Sequence, residues 1–225
     1  MDTGRRLTRW LIPMGALITL AGYFGPWVPH AVAGLVVTGL DLGEYVKFLP
    51  SVLDRTVTLW REGFYLPLVA VSLTSSLAAY RRDLAYGWPL RALLLAVAVI
   101  AALNLLPPAW TPARLMTPEF RLQTGVIAAC LIAVLFSPFL ARLPSRAVGA
   151  AMIALAVAAA WIPATTFLRV LPDIIQIYLR PLHPGWGLWL TVAGLAVLAV
   201  AGAGLVRSPA VEDRGRKATQ MEEKP

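Results

Sequence analysis

The sequence predicts an all-α fold: a polytopic integral membrane helix bundle with six transmembrane helices and short amphipathic helices on its outer face. Three observations predict it. Six apolar stretches lie between Thr8 and Val206, each about long enough to cross a hydrocarbon core of roughly 30 Å at about 1.5 Å per helical residue. Hydrophobic residues make up 58% of the chain and charged residues 14%, against about 25% charged in soluble domains, and the mean hydropathy is +0.69. The basic residues crowd the ends of the apolar stretches and avoid their centres, as expected where a bilayer excludes charge.

The first span runs from about Trp10 to Val28, behind Arg5, Arg6 and Arg9. Its stripe of Gly15, Thr19, Gly22 and Gly25 lets a neighbouring backbone approach closely. The span is read as retained. Ala31-Val32-Ala33 imitates a cleavage site, but the apolar run is longer than a signal-peptide core, and Pro26, Trp27, Pro29 and His30 separate it from that site. In the loop from Pro29 to Gly63, Asp41 is expected to cap a helix that starts near Leu42, with Glu44 reaching back three residues later. Leu42, Tyr45, Val46, Phe48 and Leu49 give this helix an apolar side, and Pro50 ends it. Ser51 with Asp54 offers a second start.

The second span is placed at Phe64 to Tyr80 and the third at Leu90 to Leu106. Thr117-Pro118-Glu119 reads as cap and first turn of the fourth, Thr124 to Leu140, which holds the one cysteine, Cys130. The fifth, Ala147 to Ile162, is crowded with Gly149, Ala150, Ala154, Ala158 and Ala160. A separate short helix is expected from Pro172, with Asp173 in its first turn, Arg180 in its last and Pro181 as its stop. The sixth span is Trp186 to Val206. Residues 1–206 thus form one transmembrane domain, and 207–225, polar and mixed in charge, are expected to be a disordered cytoplasmic tail.

Orientation follows from Lys and Arg. Thirteen of the 20 flank the terminal side of the spans or lie in the tail, and seven, including Lys47, Arg121, Arg169 and Arg180, lie on the other side. Both termini are therefore expected in the cytoplasm and the longer loops outside, in the cell (plasma) membrane. The net charge of +8 sits beside apolar spans, so the expected partner is the lipid bilayer and not nucleic acid.

The outer loops collect the residues that could carry chemistry: His30, Asp41, Glu44, Glu62, Glu119, Arg121, Arg169, Asp173, Arg180 and His183. His30, Asp41, Glu44, Arg121, Arg169 and Arg180 are the candidate ligand-binding set. Neither histidine stands at metal-ligand spacing, so no metal and no cofactor is expected. Asp41 and Glu44 share a helix face and could serve as an acid and base pair, although capping explains the same spacing. Ser72, Ser75 and Ser76 lie far from either histidine, which leaves a serine nucleophile without a base. No Asp, Glu, Lys or Arg falls at a span centre, as an ion-coupled transporter would need.

Six spans, a basic chain of 24.3 kDa, inner termini and an elaborated first outer loop resemble the substrate-binding membrane subunits of energy-coupling-factor vitamin transporters. That family carries an alanine motif on its first span, which Gly15 and Thr19 match loosely. The resemblance covers topology, and it implies a small-solute binder that works with a second membrane subunit. The leading reading is a non-enzymatic membrane protein that binds a lipid or small apolar solute at its outer face or serves as a transporter's membrane subunit. The alternatives are a membrane enzyme acting on an outer-leaflet lipid-linked substrate, with Asp41 or Glu44 as acid or base and Arg121, Arg169 or Arg180 on a phosphate, and a structural partner subunit.

Overall fold

The computed structural model describes residues 3–108 and 110–207; the expected tail beyond Arg207 lies outside them. The chain is nearly all-α. Its helices are α1 (Thr3–Tyr23), α2 (Gly39–Tyr45), α3 (Pro50–Leu53), α4 (Leu66–Ala79), α5 (Trp88–Leu103), α6 (Pro112–Leu115), α7 (Arg121–Leu135), α8 (Ser137–Leu140), α9 (Ser145–Tyr178) and α10 (Trp186–Arg207). Strands β1 (Pro26–Val28) and β2 (Val37–Thr38) pair antiparallel in a short ribbon. Among the described residues, three segments are long and apolar enough to cross a membrane: Arg61–Ala79, Ser145–Tyr178 and Trp186–Arg207. Trp88–Leu103 and Arg121–Leu135 are apolar but shorter.

α4 is the central post. It buries ten of its residues, Ser72, Thr74, Ser75 and Ser76 among them. Thr74 and Ser76 donate their hydroxyls to the carbonyls of Ala70 and Ser72, four residues back, so two of these polar groups are satisfied within the helix. α1 lies antiparallel on α10 at very short range. A Cβ on Gly22 would sit 2.3 Å from the Thr191 nitrogen, and one on Gly194 would sit 2.4 Å from the Thr19 nitrogen. Thr19 and Thr191 turn their hydroxyls onto Gly15 and Gly187 of their own helices. α9 meets α10 the same way, Gly149 against Gly202. The glycines of these stripes are therefore packing surfaces inside the bundle, whereas Ala150 and Ala154 of the fifth stretch are exposed.

At the end of the bundle that carries Thr3 and Arg207, the turns are clamped together. Arg81, 3% exposed, donates to Asp83, to the Leu143 carbonyl and to Ser145. It joins the α4–α5 turn to the α8–α9 turn. Tyr86 donates to the Arg9 carbonyl at 2.8 Å.

The fourth span starts at Arg121 behind an uncapped Phe120, not on Thr117, and breaks at Phe136 into α7 and α8; three further boundaries also differ from the sequence reading. The first helix ends at Tyr23 and not at Val28. Gly25 lies on the Trp186 ring, where a Cβ would come within 2.6 Å, and Pro26 turns the chain into β1, since a residue before proline avoids helix. In the first loop the helix starts at Gly39, three residues before the expected Leu42, and closes at Tyr45, followed by a 3-10 turn and α3. Thr38 is the cap and Asp41 is the residue that reaches back.

The third difference is the largest: no separate helix begins at Pro172. α9 runs unbroken for 34 residues through Pro163 and Pro172 and stops at Leu179, which is left-handed at φ 50°. A proline inside a helix costs about 3 kcal/mol. Here the buried stripe of Pro163, Phe167, Val170 and Ile174 continues across both prolines, and the packing it retains outweighs that cost. The hydroxyls of Thr165 and Thr166 take up the carbonyls of Trp161 and Ile162 beside the first proline.

Candidate functional site

The chain between α1 and α4 folds back over the loop-rich end of the bundle and is pinned there by α9. Asp173 accepts from the Ser51 backbone nitrogen at 3.2 Å, supplying α3 with a capping carboxylate from another helix. Tyr178 donates to the Leu35 carbonyl at 2.8 Å, and Arg180 donates to the Pro29 carbonyl at 3.0 Å. Burial beside Tyr178 pushes the Tyr45 phenol above its ordinary value. At the far edge Thr56 bonds the Asp54 carboxylate through both its backbone nitrogen and its hydroxyl, which holds that carboxyl below the usual aspartate value.

Under this cover an ionic network ties three segments together. Arg61 opens the 3-10 turn Arg61–Tyr65 that leads into α4. Its Nε donates to Glu62 Oε1 at 3.1 Å, its Nη1 to Glu119 Oε1 at 3.2 Å and its Nη2 to the Glu119 carbonyl at 3.2 Å. Lys47 donates to Glu44 Oε2 at 2.6 Å and stands 3.7 Å from Glu119 Oε1. Glu44 Oε1 is 3.8 Å from Arg61 Nη1; it is buried and has no hydrogen-bond partner. Phe120 carries the guanidinium groups of Arg61 and Arg114 at 5.6 and 5.5 Å from its ring centre. Exposed ion pairs contribute little, but the Arg61 side chain is only 16% exposed, so its removal would leave carboxylates unpaired.

Beside this network opens an apolar cavity of about 90 Å³ lined by Trp60, Glu62, Tyr65, Leu66, Val69, Leu105, Leu122, Gln123 and Val126. It lies between the start of α4, the end of α5 and the first turns of α7. Gln123, 4% exposed, donates its amide nitrogen to the Leu105 carbonyl, capping the end of α5, and its Oε1 is buried without a partner. Trp60 and Leu122 are half exposed and mark the open side.

The six residues singled out from sequence do not converge. Asp41 is spent in the capping box with Thr38, accepting from the Thr38 nitrogen at 2.9 Å and its hydroxyl at 2.7 Å. Glu44 belongs to the Lys47 and Arg61 network, so the two carboxylates have separate partners. His30 accepts from the Val32 nitrogen through Nδ1 and meets the Tyr178 ring edge-on at 5.5 Å. His30, His183 and Arg180 line one shallow depression. Arg121 is exposed on a neighbouring shallow groove with Pro118, Leu122 and Gly125. Arg169 is exposed on α9. Neither Asp41 nor Glu44 lines the apolar cavity or the shallow depressions that hold Arg180 and Arg121. Among the described residues no three His, Cys, Asp or Glu side chains gather where a metal could sit.

Sequence reasoning missed Lys47 and Arg61 as site residues and treated them only as topology charges. The signal was the run Trp60-Arg61-Glu62, an aromatic beside an ion pair at the mouth of an apolar span. No family model, curated protein or solved structure matches the chain.

Proposed function

We propose that the chain is a six-span protein of the cell (plasma) membrane, both termini cytoplasmic, that binds the apolar part of a lipid or small solute at its outer end. The observation that carries this reading is the cavity between Trp60 and Val126, which opens beside the Arg61 network. At about 90 Å³ it is smaller than the ~150 Å³ cavity that takes up benzene, so it suits a segment of hydrocarbon chain and leaves the rest of the ligand outside. Its walls are apolar and partly preformed, as ligand sites generally are. Arg61–Ala79, Ser145–Tyr178 and Trp186–Arg207 supply three spans. α1, α5 and α7 with α8 complete six if their ends reach into the interfaces.

The enzyme reading loses its main support, because Asp41 and Glu44 neither pair with each other nor meet Arg121, Arg169 or Arg180. A partner-subunit reading keeps one observation, an apolar groove between α9 and α10 lined by Ala156, Ala160, Leu195 and Ala199, where small residues would admit another helix.

The test is photolabelling of the purified protein in nanodiscs with a single-chain alcohol carrying a diazirine at its chain end. Labels are expected within 60–69 and 122–126 and should fall sharply in Val126→Trp, which fills the cavity. Even labelling of all bilayer-facing helices, unchanged by Val126→Trp, would overturn the reading.

A further inference from the structure

We infer a second, separate binding site at the opposite end of the bundle, where Arg82, Arg142 and Arg146 hold the head of an anionic phospholipid whose chain lies along Phe136 and Phe139. This end carries Thr3 and Arg207, so on the proposed topology the lipid belongs to the cytoplasmic leaflet. The inference rests on that placement in the membrane and not on the apolar cavity.

The clamp around Arg81 brings the three arginines together. Arg81 bonds Asp83, the Leu143 carbonyl and Ser145, and each of the three is the chain neighbour of a member of that clamp. Arg82 follows Arg81, Arg142 precedes Leu143 and Arg146 follows Ser145, and all three are exposed. Among the described residues their side chains form no hydrogen bond and no ion pair. The carboxylate in the clamp, Asp83, accepts from Arg81 and from Ser145 through the same oxygen. It balances Arg81 and leaves three positive charges around it uncompensated. Basic clusters beside apolar surface attract anionic lipid, each arginine adding to the attraction.

An apolar half distinguishes this place from the rest of the basic end. α7 stops at Leu135 and the chain breaks at Phe136 into α8. The break leaves Phe136 and Phe139 half exposed with their rings 5.8 Å apart. Arg142 lies over the Phe139 ring, its guanidinium carbon 5.3 Å from the centroid. A guanidinium held on a ring that faces hydrocarbon keeps its N–H groups where a lipid phosphate sits, and that planar fork binds phosphate in pairs of bonds. A phospholipid fits both halves at once: its phosphate meets the arginines and its first methylenes cover the rings. A free phosphate would leave the rings bare, and a neutral lipid would leave the charges unbalanced.

The test is native mass spectrometry of the full-length protein, released from neutral detergent after equilibration with equal amounts of dioleoyl phosphatidylglycerol and dioleoyl phosphatidylcholine. Phosphatidylglycerol adducts should exceed phosphatidylcholine adducts by about tenfold, the order that one or two arginines supply at an anionic surface. Arg142→Gln combined with Arg146→Gln should bring the ratio to about one, and Arg82→Gln alone to about threefold. Arg6→Gln combined with Arg9→Gln removes the same charge from the same end and should keep the ratio near tenfold. Inorganic phosphate added at constant ionic strength should displace no lipid. Equal binding of the two lipids, an equal loss in both double variants, or displacement by inorganic phosphate would each overturn the inference. They would mean, in turn, no preference for an anion, a general attraction of the basic end, and a phosphate site without a lipid. None of these readouts involves the apolar cavity, so the proposed function stands or falls on its own labelling.

Discussion

Gly22 rests directly on Thr191, with the α10 backbone so near that a Cβ on the glycine would lie 2.3 Å from the Thr191 nitrogen and 2.7 Å from the Leu190 carbonyl carbon. Neither neighbour is a side-chain tip that can swing away. Gly22→Leu is therefore expected to force α1 off α10, with loss of folded protein in detergent, while Gly34→Ala, where a Cβ meets nothing within 4 Å, should be neutral. Overpacking typically costs about 1–3 kcal/mol even where side chains can yield, so a backbone clash should exceed that range. Thermal melts of the two variants, read by size-exclusion retention, check it; a normal melt for Gly22→Leu would contradict this packing.

The capping box makes a second prediction. Thr38→Ala should cost about 0.5–2 kcal/mol of local helix stability, seen as faster amide exchange across residues 39–45. Asp41→Asn keeps an acceptor for the Thr38 nitrogen and should cost less. Because both carboxylates are bound up in structure, Asp41→Asn and Glu44→Gln are expected to complement whatever phenotype a deletion shows. Folded but inactive variants would return the acid and base reading to contention.

Tyr86 sets a pH dependence. Burial holds its phenol well above the usual value of about 10, with Arg9 pulling weakly the other way. Above that pH the unfolded chain releases the proton and the folded chain keeps it, so the unfolded state binds fewer protons and stability falls as pH rises. The contribution is fully present below pH ~10 and lost above it. Melting temperatures measured from pH 8 to 11 should drop more steeply for the native chain than for Tyr86→Phe; parallel curves would contradict this.

Topology can be read from intact cells. In a Cys130→Ala background, Arg180→Cys should react with an impermeant maleimide and Arg82→Cys should not. The reverse pattern would invert the assignment.

Much of the bundle was legible because apolar runs and their basic flanks are local properties. The second, third and sixth stretches, expected at Phe64 to Tyr80, Leu90 to Leu106 and Trp186 to Val206, match helical segments Arg61–Ala79, Trp88–Leu103 and Trp186–Arg207 within a few residues. Pro163 and Pro172 misled because proline's local penalty is visible in sequence while the stripe Phe167, Val170 and Ile174 that overrides it needs neighbours to be seen. Thr38-Gly-Leu-Asp41 and Asp41-Leu-Gly-Glu44 offer the same capping pattern in two registers, and the choice is made by Gly39 lying against Tyr23 and Trp27. The site was the least legible part. Glu44, Arg61 and Glu119 come from three distant segments, and only folding brings their charges within bonding range.

The unbroken α9 has a mechanical consequence. Thirty-four residues make a rod about 51 Å long at ~1.5 Å per residue, against a hydrocarbon core of roughly 30 Å. Helices answer changes in bilayer thickness by tilting, and a tilt of about 10° swings the far end of such a rod by roughly 9 Å. That end grips the first loop through Asp173 and Tyr178. Any tilt of α9 is therefore carried to the first loop, because that end of the rod and the loop are joined by these bonds.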